Sequence, residues 1–182
     1  GENAIRILDI LPASGGYHDA AVHCKLREFR LDLWPESQPA DYCALSYAWG
    51  PTSGDGSHLT QKIICDGHSL PVTANLHAAL KRIRQKTAEE QLPRTSLWVD
   101  ALCINQRDAD ERNRQVAMMF RIYRNASSLY IWLGDADTTL AANIRSICSL
   151  GSGWKFAMDP SALETEALQQ LVQRSWFKRR WI

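Results

Sequence analysis

Three short segments rich in β-formers, centred on residues 42–48, 96–100 and 128–133, are separated by stretches with helical periodicity. This alternation constrains the chain more than any other feature. A strand, a helix and another strand in succession predict crossover connections and a parallel sheet covered by helices. Between the first two segments, Thr73 is placed to cap a helix with apolar face Leu76, Leu80 and Ile83. Between the second and third, Asp108 and Glu111 form a D-x-x-E capping box. The helix it opens is predicted to turn Val116, Met119, Phe120 and Tyr123 inward. "SSLYIWLG" (127–134) then reads as a buried strand.

The first seventy residues are β-rich. "AIRILDIL" (4–11), "AVHCKLREFRL" (21–31) and "KIICDGHSLPV" (62–72) carry strand patterns, and Asp66-Gly67 marks a hairpin joining 62–65 to 69–72. "GPTSGDGS" (50–57) is a loop long enough to act as a lid. Past the third strand, a helix is predicted near 138–150 through Leu140, Ile144 and Ile147, stopped by Gly151. Ser161 and Glu164 form a second capping box, ahead of Leu168, Leu171 and Val172. The expected architecture is therefore α/β, a parallel sheet flanked by helices with a β-rich N-terminal extension at one edge. A chain of 182 residues fits one such domain, 1–182.

In open parallel sheets, ligands bind beyond the carboxyl ends of the strands. Here those ends carry Ser46-Tyr47-Ala48-Trp49-Gly50, then Asp100 leading to Asn105-Gln106, then Gly134-Asp135-Ala136-Asp137. If the strands are neighbours, their tips form one rim of small, aromatic, amide and acidic groups. Such a rim suits a polar ligand with a flat ring. A plainer reading makes Asp108 and Asp137 caps, Asp135 a turn residue and Asp100 an anchor for the amides of its own loop. Cys103, between Leu102 and Ile104, reads as buried and inert rather than nucleophilic.

Several function classes are excluded or disfavoured. The acidic helix starts at 108–111 and 135–137 are poor phosphate cradles. "GPTSGDG" lacks the Lys-Ser/Thr of a Walker A loop, and neither G-x-S-x-G nor G-x-G-x-x-G occurs. The five histidines and five cysteines lack metal-ligand spacing, which argues against a metal site. The odd, widely spaced cysteines without C-x-x-C point to reduced thiols in a cytoplasmic protein. The sequon Asn125-Ala126-Ser127 then stays unglycosylated. No apolar run reaches membrane-spanning length. "RSWFKRRWI" (174–182) interleaves bases with aromatics, a pattern that can bind nucleic acid. A net charge of +1 argues instead for a helix with aromatics inward and bases in solvent.

Taken in order, "YCALSYAWG" (42–50), "LPVTANLHAALKRIR" (70–84), "LWVDALCINQRDADERNRQVAMMFRIYRNASSLYIWLG" (97–134) and "RSWFKRRWI" (174–182) resemble the fungal heterokaryon-incompatibility (HET) domain. The resemblance implies a role in non-self recognition, where such domains trigger programmed cell death after incompatible fusion. It also implies a flavodoxin/TIR-like fold, because HET domains look distantly like TIR domains, which signal by self-association. Some TIR domains hydrolyse NAD, using the glutamate of a W-x-x-x-E motif beside an "SY"-type strand tip. Ser46-Tyr47 match that tip and Trp181 matches the tryptophan. The expected glutamate would lie three residues past Ile182, so the chain looks like a domain truncated at its C-terminus, with Glu111 and Asp100 as weak substitutes. The resemblance thus implies NAD as a possible substrate, no permanently bound cofactor, and self-association or another incompatibility or receptor protein as partner. Ser46, Tyr47, Trp49, Gly50, Asp100, Asn105, Gln106 and Trp181 are the candidate pocket residues; Asp108, Glu111, Ser161 and Glu164 are the expected caps.

Overall fold

A computed structural model describes residues 3–12, 21–34, 38–50, 58–135 and 169–178. The chain divides into two compact units, Gly1–Trp132 and Leu133–Ile182. The first is a mixed α/β unit. Its seven strands are β1 (Ala4–Ile10), β2 (His23–Arg30), β3 (Ala40–Tyr47), β4 (Gln61–Cys65), β5 (His68–Val72), β6 (Thr95–Trp98) and β7 (Ala126–Trp132). Its helices are α1 (Ala74–Glu89), α2 (Asp100–Cys103) and α3 (Ala109–Asn125). One sheet contains all seven strands, in the order β5-β4-β2-β1-β6-β3-β7.

The three strands expected to be parallel are so, and adjacent: β3 lies between β6 and β7 and runs parallel to both. The sheet as a whole is mixed, not parallel. β1 is antiparallel to β2 over its full length and antiparallel to β6 from Leu8↔Leu97 to Ile10↔Thr95. The β-rich segment is therefore half of the same sheet and not an appendage. The physical reason lies at β6, whose four residues include Leu97 and Trp98, both without solvent exposure. A strand so buried needs hydrogen-bond partners on both sides, and β1 supplies the second.

Local chemistry accounts for the remaining elements. Asp66 and Gly67, with φ of 50° and 80°, form the left-handed pair of a tight hairpin turn between β4 and β5. Thr73 Oγ1 accepts the Leu76 N–H at 3.2 Å, capping α1, and Leu76, Leu80 and Ile83 are buried as the spacing predicts. Asp108 Oδ1 accepts the N–H groups of Asp110 and Glu111, each at 3.0 Å, at the start of α3. The reciprocal half of that capping box does not form. Glu111 turns away to accept the Asn105 N–H at 2.8 Å and to pair with Arg6.

α3 also departs from the expected orientation. Gln115 and Ile122 are buried and Met118, Met119 and Tyr123 pack against the core, whereas Val116 and Phe120 are exposed. Tyr42 fixes this rotation by donating its hydroxyl to the Ile122 carbonyl at 2.7 Å. The segment 127–134 is likewise not a buried strand. β7 is the last strand of the sheet, and Leu129 and Ile131 are exposed.

In the second unit, residues 169–172 are helical and Ser175–Lys178 forms a 3-10 turn. Arg174 donates to the Asp135 carbonyl at 2.8 Å, and the Trp176 and Phe177 rings meet edge to face at 5.0 Å. Phe177 is nonetheless nearly half exposed, so the aromatics of this stretch do not all turn inward. The loop at 50–57 lies outside the described residues except for Gly50, as do the predicted helix near 138–150, Ser161, Glu164 and Trp181. Among the described residues no helix is long and apolar enough to cross a membrane.

Candidate functional site

Because β6, β3 and β7 are parallel neighbours, their carboxyl ends open on the same side of the sheet. β3 delivers Trp49 and β6 delivers Asp100, and the two meet. The Trp49 indole N–H points at the Asp100 carboxylate, 3.2 Å from Oδ1 and 3.1 Å from Oδ2. Asp100 is the first residue of α2 rather than the last of a strand, and its Oδ1 also accepts the Ala101 N–H at 2.8 Å. Both carboxylate oxygens therefore face N–H donors. A carboxylate so engaged fixes its donors in place.

A second tie closes the rim on the other side of β3. Asn75, in the first turn of α1, donates Nδ2 to the Ala48 carbonyl at 2.6 Å and accepts the Trp132 indole N–H on Oδ1 at 2.8 Å. This one amide links the ends of β3 and β7 to the start of α1. Reading the strand tips alone missed Asn75 and Trp132. The available signal was the position of Asn75 two residues after the capping Thr73, which puts it in the first turn of a helix.

The other expected site residues divide by depth. Ser46 and Tyr47 are buried and have partners. Gly50 sits at the exposed tip with φ of 82°, a conformation that favours glycine. Gln106 donates Nε2 to the Asp100 carbonyl at 2.9 Å. Asn105 is exposed; its Oδ1 accepts the Arg107 N–H at 3.2 Å in a side-chain-closed turn. Both amides thus order the α2–α3 loop. Cys103 is fully buried, its sulfur accepts the Val99 N–H at 3.3 Å, and burial pushes its thiol up to about 12. It is inert as a nucleophile. Among the described residues no group of three or more His, Cys, Asp or Glu side chains is placed to hold a metal ion.

The strand ends thus set a clamped indole beside the Asp100 carboxylate, with the side-chain amides of Asn75 and Gln106 tied to the backbone around them.

The profile of the heterokaryon incompatibility protein (HET) family matches residues 42–182. This chain belongs to that family. It is 36% identical over 135 residues to heterokaryon incompatibility protein 6, OR allele, of Neurospora crassa, covering 72% of this chain and 19% of that protein. It is 28% identical over 107 residues to vegetative incompatibility protein HET-E-1 of Podospora anserina, covering 57% of this chain and 7% of that protein. The chain thus spans less than a fifth of the curated relatives it matches. No solved structure matches it significantly.

Proposed function

We propose that this HET domain acts in fungal non-self recognition by triggering programmed cell death, and that NAD hydrolysis at the rim is the trigger. The observation that supports this reading best is the Trp49–Asp100 pair, which sets a rigid aromatic wall at the tip of the central parallel strand. In this reading the nicotinamide ring stacks on Trp49 and amide groups of the rim meet its carboxamide. Water adds to the ribose carbon as neutral nicotinamide leaves, giving ADP-ribose and a proton. The carboxylate that stabilises the ribosyl cation is the glutamate the family pattern sets after Trp181. Asp100 organises the pocket, because both its oxygens face N–H donors.

The test is nicotinamide release from NAD, quantified by chromatography, with the natural full-length protein and with this chain at high concentration. Release by the full-length protein, lost on Trp49→Ala without loss of fold, is the expected result. No release from a folded, self-associated full-length protein would leave the second reading, a scaffold that signals by homotypic contact. That reading has its own support in the exposed Phe120, Leu129 and Ile131.

A further inference from the structure

Cys24, Cys43, Cys65 and Cys103 are free thiols, and two of them are neighbours. β2 and β4 run parallel and pair over two residues, His23↔Ile64 and Cys24↔Cys65. Register partners on adjacent strands turn to the same face with Cα atoms about 4.8 Å apart, inside the span that a disulfide bridges. Both side chains are buried, and their sulfurs lie within hydrogen-bonding reach of each other. The other two thiols are held elsewhere. Cys43 lies on β3, with β1 and β6 between it and β2, and the Cys103 sulfur is engaged by the Val99 N–H and the Leu97 carbonyl.

The pair sits at a seam in the sheet. Ile64 N–H donates to the Val22 carbonyl at 2.8 Å, Asp66 N–H to the Cys24 carbonyl at 3.1 Å, and Leu26 N–H to the Asp66 carboxylate at 3.1 Å. These bonds join the β4–β5 hairpin to β2, and β5 leads through Thr73 into α1, whose Asn75 ties the strand ends. Cys65 ends β4 directly before the exposed Asp66–Gly67 turn and keeps 7% exposure, against 3% for Cys24. A terminal hairpin paired over so short a ladder opens at low free-energy cost, which brings Cys65 to solvent. We propose that Cys24 and Cys65 form a thiol modification site, closing to a reversible cross-strand disulfide under peroxide. Hydrogen peroxide oxidises the Cys65 thiolate to a sulfenic acid as its O–O bond breaks. The Cys24 sulfur then attacks that sulfur, and water leaves as the S–S bond forms. Two thiols thereby lose two protons and two electrons, and one hydrogen peroxide becomes two waters. Two molecules of a small thiol such as glutathione reverse the step and leave as their own disulfide. Burial above all raises both thiols, so the pair stays protonated and reduced until an oxidant persists.

The experiment exposes this chain to hydrogen peroxide in mildly alkaline buffer, quenches with acid and blocks free thiols with N-ethylmaleimide before peptide mapping by mass spectrometry. A disulfide between Cys24 and Cys65 is expected as the main product, and reduced glutathione should return both thiols. Amides of β4 and β5 should exchange roughly tenfold more slowly in the oxidised chain, and its melting temperature should rise by roughly 5–10 °C. Cys43→Ser should form the same bridge. Cys24→Val should abolish both effects, and if it does not fold, the peptide map of the unaltered chain decides alone. The proposal is overturned if both thiols stay reduced under excess peroxide, or if Cys65 goes on to sulfinic acid without a bridge. It is equally overturned if links to Cys43 or Cys148 form as readily, or if the bridged chain melts below the reduced one.

Discussion

Asp100 sits where an acid could serve chemistry or architecture, and its hydrogen bonds show the architectural part. It collects the Trp49 indole N–H and the Ala101 N–H on one side chain. Removing it leaves both donors to find other acceptors in a partly buried place. Asp100→Ala should cost about 1–3 kcal/mol of stability, and Asp100→Asn less, since its amide oxygen still accepts one N–H. Urea unfolding checks the magnitude. Tryptophan emission, taken as the difference from Trp49→Phe, should shift to the red in the alanine variant as the indole loosens. An alanine variant with unchanged stability and emission would mean the clamp is idle. The Trp49–Asp100 pairing was half legible in the sequence, since both residues lie two positions past a strand's carboxyl end and meet once those strands are parallel neighbours. The Asn75–Trp132 tie was not, because it depends on which strand lies beside β3, and periodicity does not encode strand order.

At the scale of elements, α3 shows what periodicity leaves open. The inward set expected from the sequence, 116, 119, 120 and 123, and the core-facing set 115, 118, 119, 122 and 123 share Met119 and Tyr123, but the helix is turned so that 115, 118 and 122 replace 116 and 120. Hydropathy prefers Val116 and Phe120 over Gln115, whereas the fold can accept Gln115 because the Ala4 carbonyl meets its amide. The rotation predicts opposite outcomes for two similar substitutions. Phe120→Ser should change stability by no more than about 0.5 kcal/mol, as exposed positions do. Ile122→Ala should cost about 2–5 kcal/mol, as buried positions do. Denaturant midpoints of the two variants settle the orientation, and a larger loss from the phenylalanine would reverse it. The same reasoning explains β7. An apolar run reads as buried, but β7 is the last strand of the sheet among the described residues, and Leu129 and Ile131, two apart on one of its faces, stay at the surface.

At the scale of the whole first unit, one mixed sheet carries several weakly acidic groups buried in a single core. Cys24 and Cys65 are register partners on β2 and β4, Tyr42 lies on β3, and Cys103 ends α2. Burial raises all four, because each site disfavours the anion. For Cys103 the rise runs from 9.0 to about 12. Below the ordinary thiol value both folded and unfolded chains hold these protons, so stability is insensitive to pH on this account. Above it the unfolded chain releases protons that the folded chain retains, and stability falls as pH rises. Melting temperature should therefore change little on the neutral side of pH 9 and drop steadily from about pH 9 toward 12, steepened by the number of groups involved. Cys103→Ala removes one of them and should flatten the alkaline slope, though it also lowers the starting stability by opening a small cavity. The slope, not the plateau, is the diagnostic quantity. A melting temperature that holds constant to pH 11 would mean these thiols and the phenol ionise within the folded core, and that the sheet is far more permeable to solvent than its packing implies.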